Sequence, residues 1–151
     1  MIGEISADFA VPGTNIYDLG CSTCTTFVRI DALIPKDVSF VGVDFSEVML
    51  SRAKEKLAEH GVTRQCELIC ADLNKGVSVV NVSVVVMNLV LQFVRPLYWT
   101  RVVQAIASGI NPSGCLILVE KVLSPDLTIN RLFIKGSSKN VIPAKAGIHN
   151  L

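Results

Sequence analysis

Thr14-Asn15-Ile16-Tyr17-Asp18-Leu19-Gly20-Cys21-Ser22 is an apolar, β-rich run that stops at a glycine just before the helical pattern Cys24 to Leu33. A strand that turns into a helix through a glycine is the first half of a βαβ unit. Pro35 ends the helix, because proline removes a donor and restricts the residue before it. Val38 to Asp44 then supplies the second strand. Ser46 is an N-cap, and Val48, Met49, Ala53, Leu57 and Ala58 recur at helical spacing as far as Gly61. Arg64 to Ala71 reads as a third strand. Val82 to Asn88, almost wholly β-branched, reads as a central strand buried on both faces. Pro96 fits the first turn of a helix with the apolar stripe Val102, Val103, Ile106 and Ile110. Asn111, Pro112, Ser113 and Gly114 form a turn into a fifth strand, Cys115 to Glu120. Strands alternating with helices define an α/β class, and right-handed crossovers put the parallel sheet in the order 3-2-1-4-5.

Composition agrees with one domain around a single core. Half of the 151 residues are apolar and 18% are charged. The apolar runs are far shorter than the roughly 20 residues a membrane span needs, so no transmembrane helix is expected. Met1 to Ala10 carries acids and no basic n-region, unlike a secretory signal, and a cytoplasmic location follows. The net charge is +1, with no basic stripe and interleaved aromatics, so direct nucleic-acid binding is not expected. Five cysteines, an odd number, argue for reduced thiols over a disulfide framework.

An open parallel sheet binds its ligand outside the carboxyl ends of the strands, and the candidate residues fall there. Gly20 allows close approach to a ligand, or only a tight turn. Asp44 closes the second strand at the separation from Gly20 expected of an acid that accepts hydrogen bonds from ribose hydroxyls, and it could also cap the next helix. Asp72 follows the third strand, where an adenine edge would lie. Asn88 ends a long apolar run and needs a partner or a ligand. Cys21-Ser22-Thr23-Cys24 has the C-x-x-C spacing of a redox pair but lacks an aromatic lead-in and a later cis-proline strand. No Cys/His set has zinc-ligand spacing, so no metal is expected, and His60 and His149 read as surface positions. Cys66, Cys70 and Cys115 read as strand hydrophobes, and Glu120 with Lys121 as a solvated pair.

Asp18-Leu19-Gly20-Cys21-Ser22, Gly42-Val43-Asp44, Ala71-Asp72-Leu73 and Asn88-Leu89-Val90-Leu91-Gln92-Phe93 resemble, in order and spacing, the motifs of class I S-adenosylmethionine-dependent enzymes. The implied fold is the Rossmann-like class I methyltransferase fold. The glycine turn, the Asn-x-x-Leu-Gln-Phe strand end, Ile110 to Gly114, and Leu118-Val119-Glu120-Lys121 are similar to the carboxy-S-adenosyl-L-methionine synthase family over about Met1 to Lys135. That resemblance implies S-adenosyl-L-methionine as cofactor and prephenate as substrate. A carboxyl group would pass to the cofactor methyl carbon, leaving phenylpyruvate, in the service of tRNA wobble uridine modification. It also implies cofactor-binding roles: Gly20, Cys21 and Ser22 at the methionine part, Asp44 at the ribose with Phe45 beside it, Asp72 and Leu73 at the adenine, and Asn88 near the sulfonium. No catalytic residue is assigned.

The resemblance implies a further N-terminal segment that helps cover the cofactor, with Met1 only about a dozen residues before the first strand, and the chain departs from the pattern in two other places. Thr23-Cys24-Thr25 stands where the family has a small residue and a further glycine, which narrows the loop. After Lys135 the resemblance stops. Residues 1–135 are thus expected to form a partial cofactor-binding domain, and residues 136–151 a non-family tail that is disordered. A chain truncated at both ends would lack the last strands and the arginine that in the family grips the new carboxylate. Its edge at Cys115 to Val119 would be unpaired and open to another chain, as in a homodimer. Activity would be impaired. The alternatives are a generic small-molecule methyltransferase and a non-catalytic remnant.

Overall fold

A computed structural model describes residues 1–121 and the backbone of Lys139–Pro143. The elements run α1 (Ile2–Phe9), β1 (Asn15–Leu19), α2 (Thr25–Ile30), β2 (Ser39–Asp44), α3 (Glu47–Glu59), β3 (Cys66–Cys70), β4 (Val82–Asn88), α4 (Pro96–Gly109), β5 (Ile110–Val119) and β6 (Lys139–Pro143). The sheet order is β3-β2-β1-β4-β5-β6. The first five strands are parallel, as the sequence order 3-2-1-4-5 requires.

Strand alternation splits the core between the two faces of the sheet. Val84 and Val86 face one side with Ile16, Phe27, Ile30 and Phe40, whereas Val85 and Met87 face the other with Tyr17, Leu19, Val102 and Ile106. The Phe27 and Phe40 rings stack at 4.2 Å, and the Arg64 guanidinium lies 4.7 Å over Phe40. That guanidinium also pairs with Asp31 and donates to the carbonyls of Pro35 and Val38 at 2.8 and 2.9 Å. The chain entering β2 is therefore held from both sides.

Four features differ from the sequence reading. The N-terminal segment is a helix, α1, whose Ile2, Ile5 and Phe9 pack on the core. A helix this short gains its stability from packing, not from its own propensity. The pattern Cys24 to Leu33 divides into α2 and a 3-10 turn at Asp31–Leu33. The turn at Asn111 to Gly114 lies inside β5: pairing jumps from Val82↔Ile110 to Val84↔Cys115, and the intervening residues bulge out with Ser113 at φ 70°. Finally, the edge expected to be unpaired carries β6, antiparallel, with Cys115 opposite Pro143 and Val119 opposite Lys139. Backbone pairing needs no side-chain period, which is why residues 139–143 gave no signal. The rest of the tail, whose disorder the sequence suggested, lies outside the described residues.

Candidate functional site

The turn after β1 is built on backbone geometry. Gly20 adopts φ +83°, and its N–H and that of Cys21 both donate to the Val43 carbonyl, at 2.7 and 3.0 Å. A Cβ on Gly20 would lie 2.3 Å from a Val90 methyl, so the loop after β4 closes against the turn in a space only glycine leaves open. That loop is set by Leu89 at φ 58°, by the Leu89 N–H donating to the Val119 carbonyl at 2.7 Å, and by the Leu91 N–H donating to Glu120 Oε1 at 2.6 Å. Glu120, read from sequence as solvated, is thus a structural anchor.

A cavity of about 530 Å³ opens at these strand ends. It takes in Gly20, Ser22, Asp44, Phe45, Asp72, Leu73 and Asn88, seven of the eight residues the sequence brings forward. Asp44 accepts the Ser22 N–H with one oxygen at 2.8 Å and the Ser46 N–H with the other at 2.9 Å. Each carboxylate oxygen keeps a further lone pair for a ligand hydroxyl. Ser46 Oγ in turn caps α3 by accepting the Met49 N–H at 3.3 Å, so the serine caps the helix while Asp44 lines the cavity. Phe45 and Phe93 leave three-quarters of their surface exposed on the cavity lining. Asp72 Oδ1 accepts from Asn74 N and Asn74 Nδ2 at 2.9 and 2.8 Å, and these bonds hold its carboxyl below the usual range.

Cys21 is the exception. Its side chain is buried against Gly42 and does not reach the cavity; the contact with Cys24 and burial raise its thiol well above the ordinary value. Burial of both Cys21 and Cys24 keeps these thiols away from an exchange partner, which counts against the redox reading. Cys24, also buried, sits at φ 55°, the left-handed conformation that a glycine would adopt freely. Asp18 is buried beneath the turn, where desolvation pushes its carboxyl up to about 7; a Thr26 hydrogen bond opposes this and the Asp44 charge adds to it.

The sequence reading did not single out Asn74 or Phe93. Asn74 lines the cavity, accepts the Arg95 N–H at 2.9 Å and takes the Arg101 guanidinium on its carbonyl, tying this wall to α4. An Asp followed two residues later by Asn is an Asx-turn signal that could have found it. Among the described residues, no group of three His, Cys, Asp or Glu could hold a metal ion, and no helix is long and apolar enough to cross a membrane.

This sheet order, with a glycine turn after β1 and acids after β2 and β3, defines the class I S-adenosylmethionine-dependent methyltransferase fold. A family profile described as a methyltransferase domain matches residues 16–114, and the chain belongs to that family. Relatives named carboxy-S-adenosyl-L-methionine synthase are 51% identical in Methylococcus capsulatus, over 89% of this chain and 56% of the relative, and 41% identical in Trichlorobacter lovleyi, over 80% and 50%. The chain thus spans about half the length of the relatives it matches. Among solved structures, a SAM-dependent methyltransferase from Aquifex aeolicus superposes with TM-score 0.64 at 16% identity, over 83% of this chain and 67% of that one. The [4+2]-cyclase SpnF superposes with TM-score 0.66 at 19% identity, over 82% and 46%. These structural likenesses concern the fold alone.

Proposed function

We propose that the cavity binds S-adenosyl-L-methionine and that the chain carries the cofactor half of a carboxy-S-adenosyl-L-methionine synthase. The observation that carries this reading is the convergence of Asp44, Asp72 and Asn88, from three strand ends, around a Gly20 turn that no Cβ could enter. Asp44 would accept the ribose hydroxyls with its remaining lone pairs. Asp72 and Leu73 would meet the adenine, with Asn74 beside them and Phe45 and Phe93 offering ring faces to it. Gly20 and Ser22 would border the methionine part, and Asn88 the sulfonium. When bound, the cofactor would supply a sulfonium that acidifies its own methyl group, the carbon that would receive a carboxyl from prephenate as phenylpyruvate leaves. The product would serve tRNA wobble uridine modification in the cytoplasm without contact between this chain and the nucleic acid, and homodimerisation belongs to the same reading.

A generic methyltransferase is the second reading, favoured by one observation: a [4+2]-cyclase shares this fold, so the fold does not fix the reaction. Mass spectrometry of the chain incubated with S-adenosylmethionine and prephenate separates the two. Little or no carboxylated cofactor is expected from this chain by itself, and any that forms would support the synthase reading. Cofactor that binds but returns unchanged would favour the generic methyltransferase or the non-catalytic remnant.

A further inference from the structure

Between β1 and α2 two residues other than glycine adopt the left-handed conformation, Ser22 at φ 50° and Cys24 at φ 55°. Each needs support from outside, because a Cβ disfavours this conformation and glycine alone enters it freely. Ser22 has that support in Asp44, which holds its N–H at 2.8 Å. Cys24 has only local backbone bonds of its own, donating to the Cys21 carbonyl at 2.8 Å and accepting the Val28 N–H at 3.2 Å, and as the N-cap of α2 it makes no side-chain cap. Its two neighbours supply the rest. Lys56 Nζ, from α3, donates to Thr25 Oγ1 at 2.7 Å and over a longer 3.4 Å to Thr23 Oγ1, so one ammonium spans Cys24 from both sides. Lys56 stands at the edge of the stripe Leu50, Ala53 and Leu57 that α3 buries, and it is half-buried where Lys54 and Glu55 are exposed. Among the described residues it makes no ion pair, which leaves the threonines as the partners of its charge.

We infer that Lys56 is a positioning residue, which pins the Thr23-Cys24-Thr25 turn in the left-handed form where no glycine is present to adopt it. Lys56 does not line the cavity, so it acts through the turn and not on a ligand. The turn is continuous with Gly20 and Ser22, which border one end of the cavity, whereas Asp44 keeps its second anchor on the Ser46 N–H whatever the turn does. Loss of the pin is therefore felt at the end where the methionine part would lie. The pin is a property of the free chain; its effect on the cofactor rests on the reading proposed above.

Two measurements on the full chain test this. Without ligand, amide hydrogen exchange at Cys24 and Val28 reads the turn: Lys56→Met should speed it by about tenfold, the weight of a hydrogen bond from a charged donor, and Lys56→Arg should restore most of the protection. In a Cys24→Gly background the same Lys56→Met change should alter exchange by no more than about twofold, because glycine needs no pin. With ligand, calorimetric titration compares S-adenosylhomocysteine with 5′-methylthioadenosine, which lacks the amino-acid end. Lys56→Met should weaken the first by at least about fivefold and leave the second within about twofold. Should Lys56→Met unfold the chain, Thr25→Val removes the nearer acceptor alone and carries the same two readouts. Unchanged exchange, an effect of equal size in both Cys24 backgrounds, or equal loss of the two nucleosides would each overturn the inference. If neither nucleoside binds the unaltered chain, the cofactor reading falls, and exchange at Cys24 and Val28 still decides the pin.

Discussion

Asp44 accepts the Ser22 backbone N–H at 2.8 Å, so the acid that ends β2 also fixes the turn that follows β1. With its other oxygen on Ser46 N–H, one carboxylate joins two strand ends and the start of α3. Asp44→Ala should weaken S-adenosylmethionine by about 1.5 to 3 kcal/mol, the range for losing hydrogen bonds to a charged group. Calorimetric titration reads this directly. Unchanged affinity would make Asp44 a residue of the turn and not of the ligand.

Gly20→Ala meets two obstacles, the left-handed φ and the Val90 methyl. Together they should cost about 2 to 5 kcal/mol of stability in urea denaturation. Val90→Ala removes the methyl at 2.3 Å but keeps the Val90 Cβ at 2.7 Å, so it relieves part of the collision and leaves the backbone strain. The double variant should therefore recover at least about 0.5 kcal/mol relative to additivity. Strict additivity would mean that the β4 loop does not close against the turn.

The depth of Asp18 sets a pH dependence. Its carboxyl titrates near 3.8 when unfolded and at about 7 when folded. Below pH 4 both states are protonated and the group costs nothing. Between pH 4 and 7 the folded chain keeps a proton the unfolded chain has lost, so stability falls as pH rises, by up to about 1.4 kcal/mol per pH unit from this group. Above pH 7 the loss levels off. Asp18→Asn should flatten that slope in denaturant melts across the range, and an equal slope in both proteins would show that Asp18 is not buried as an acid.

Much of this molecule was legible in residue pattern, and the exceptions have physical reasons. The β-branched run Val82 to Met87 and the Ser46 cap announce β4 and α3, because burial on both faces and capping each demand particular side chains. The glycine turn and Asp44 were legible because a left-handed turn demands the one and two backbone N–H groups at the strand ends demand an acceptor at the other. By contrast β6 rests on backbone pairing, and α1 on packing against elements far along the chain. Cys21 shows the remaining gap: it sits inside the motif, but strand-to-turn geometry directs its side chain into the core, which spacing alone does not reveal.

Titration of the full chain with S-adenosylmethionine, with folding followed in parallel by circular dichroism, tests most directly whether this cavity is a cofactor site. The predicted result is saturable one-to-one binding, competed by S-adenosylhomocysteine and weakened by Asp44→Ala. A folded chain that shows no binding up to millimolar cofactor, or that binds it equally well after Asp44→Ala, would contradict the assignment.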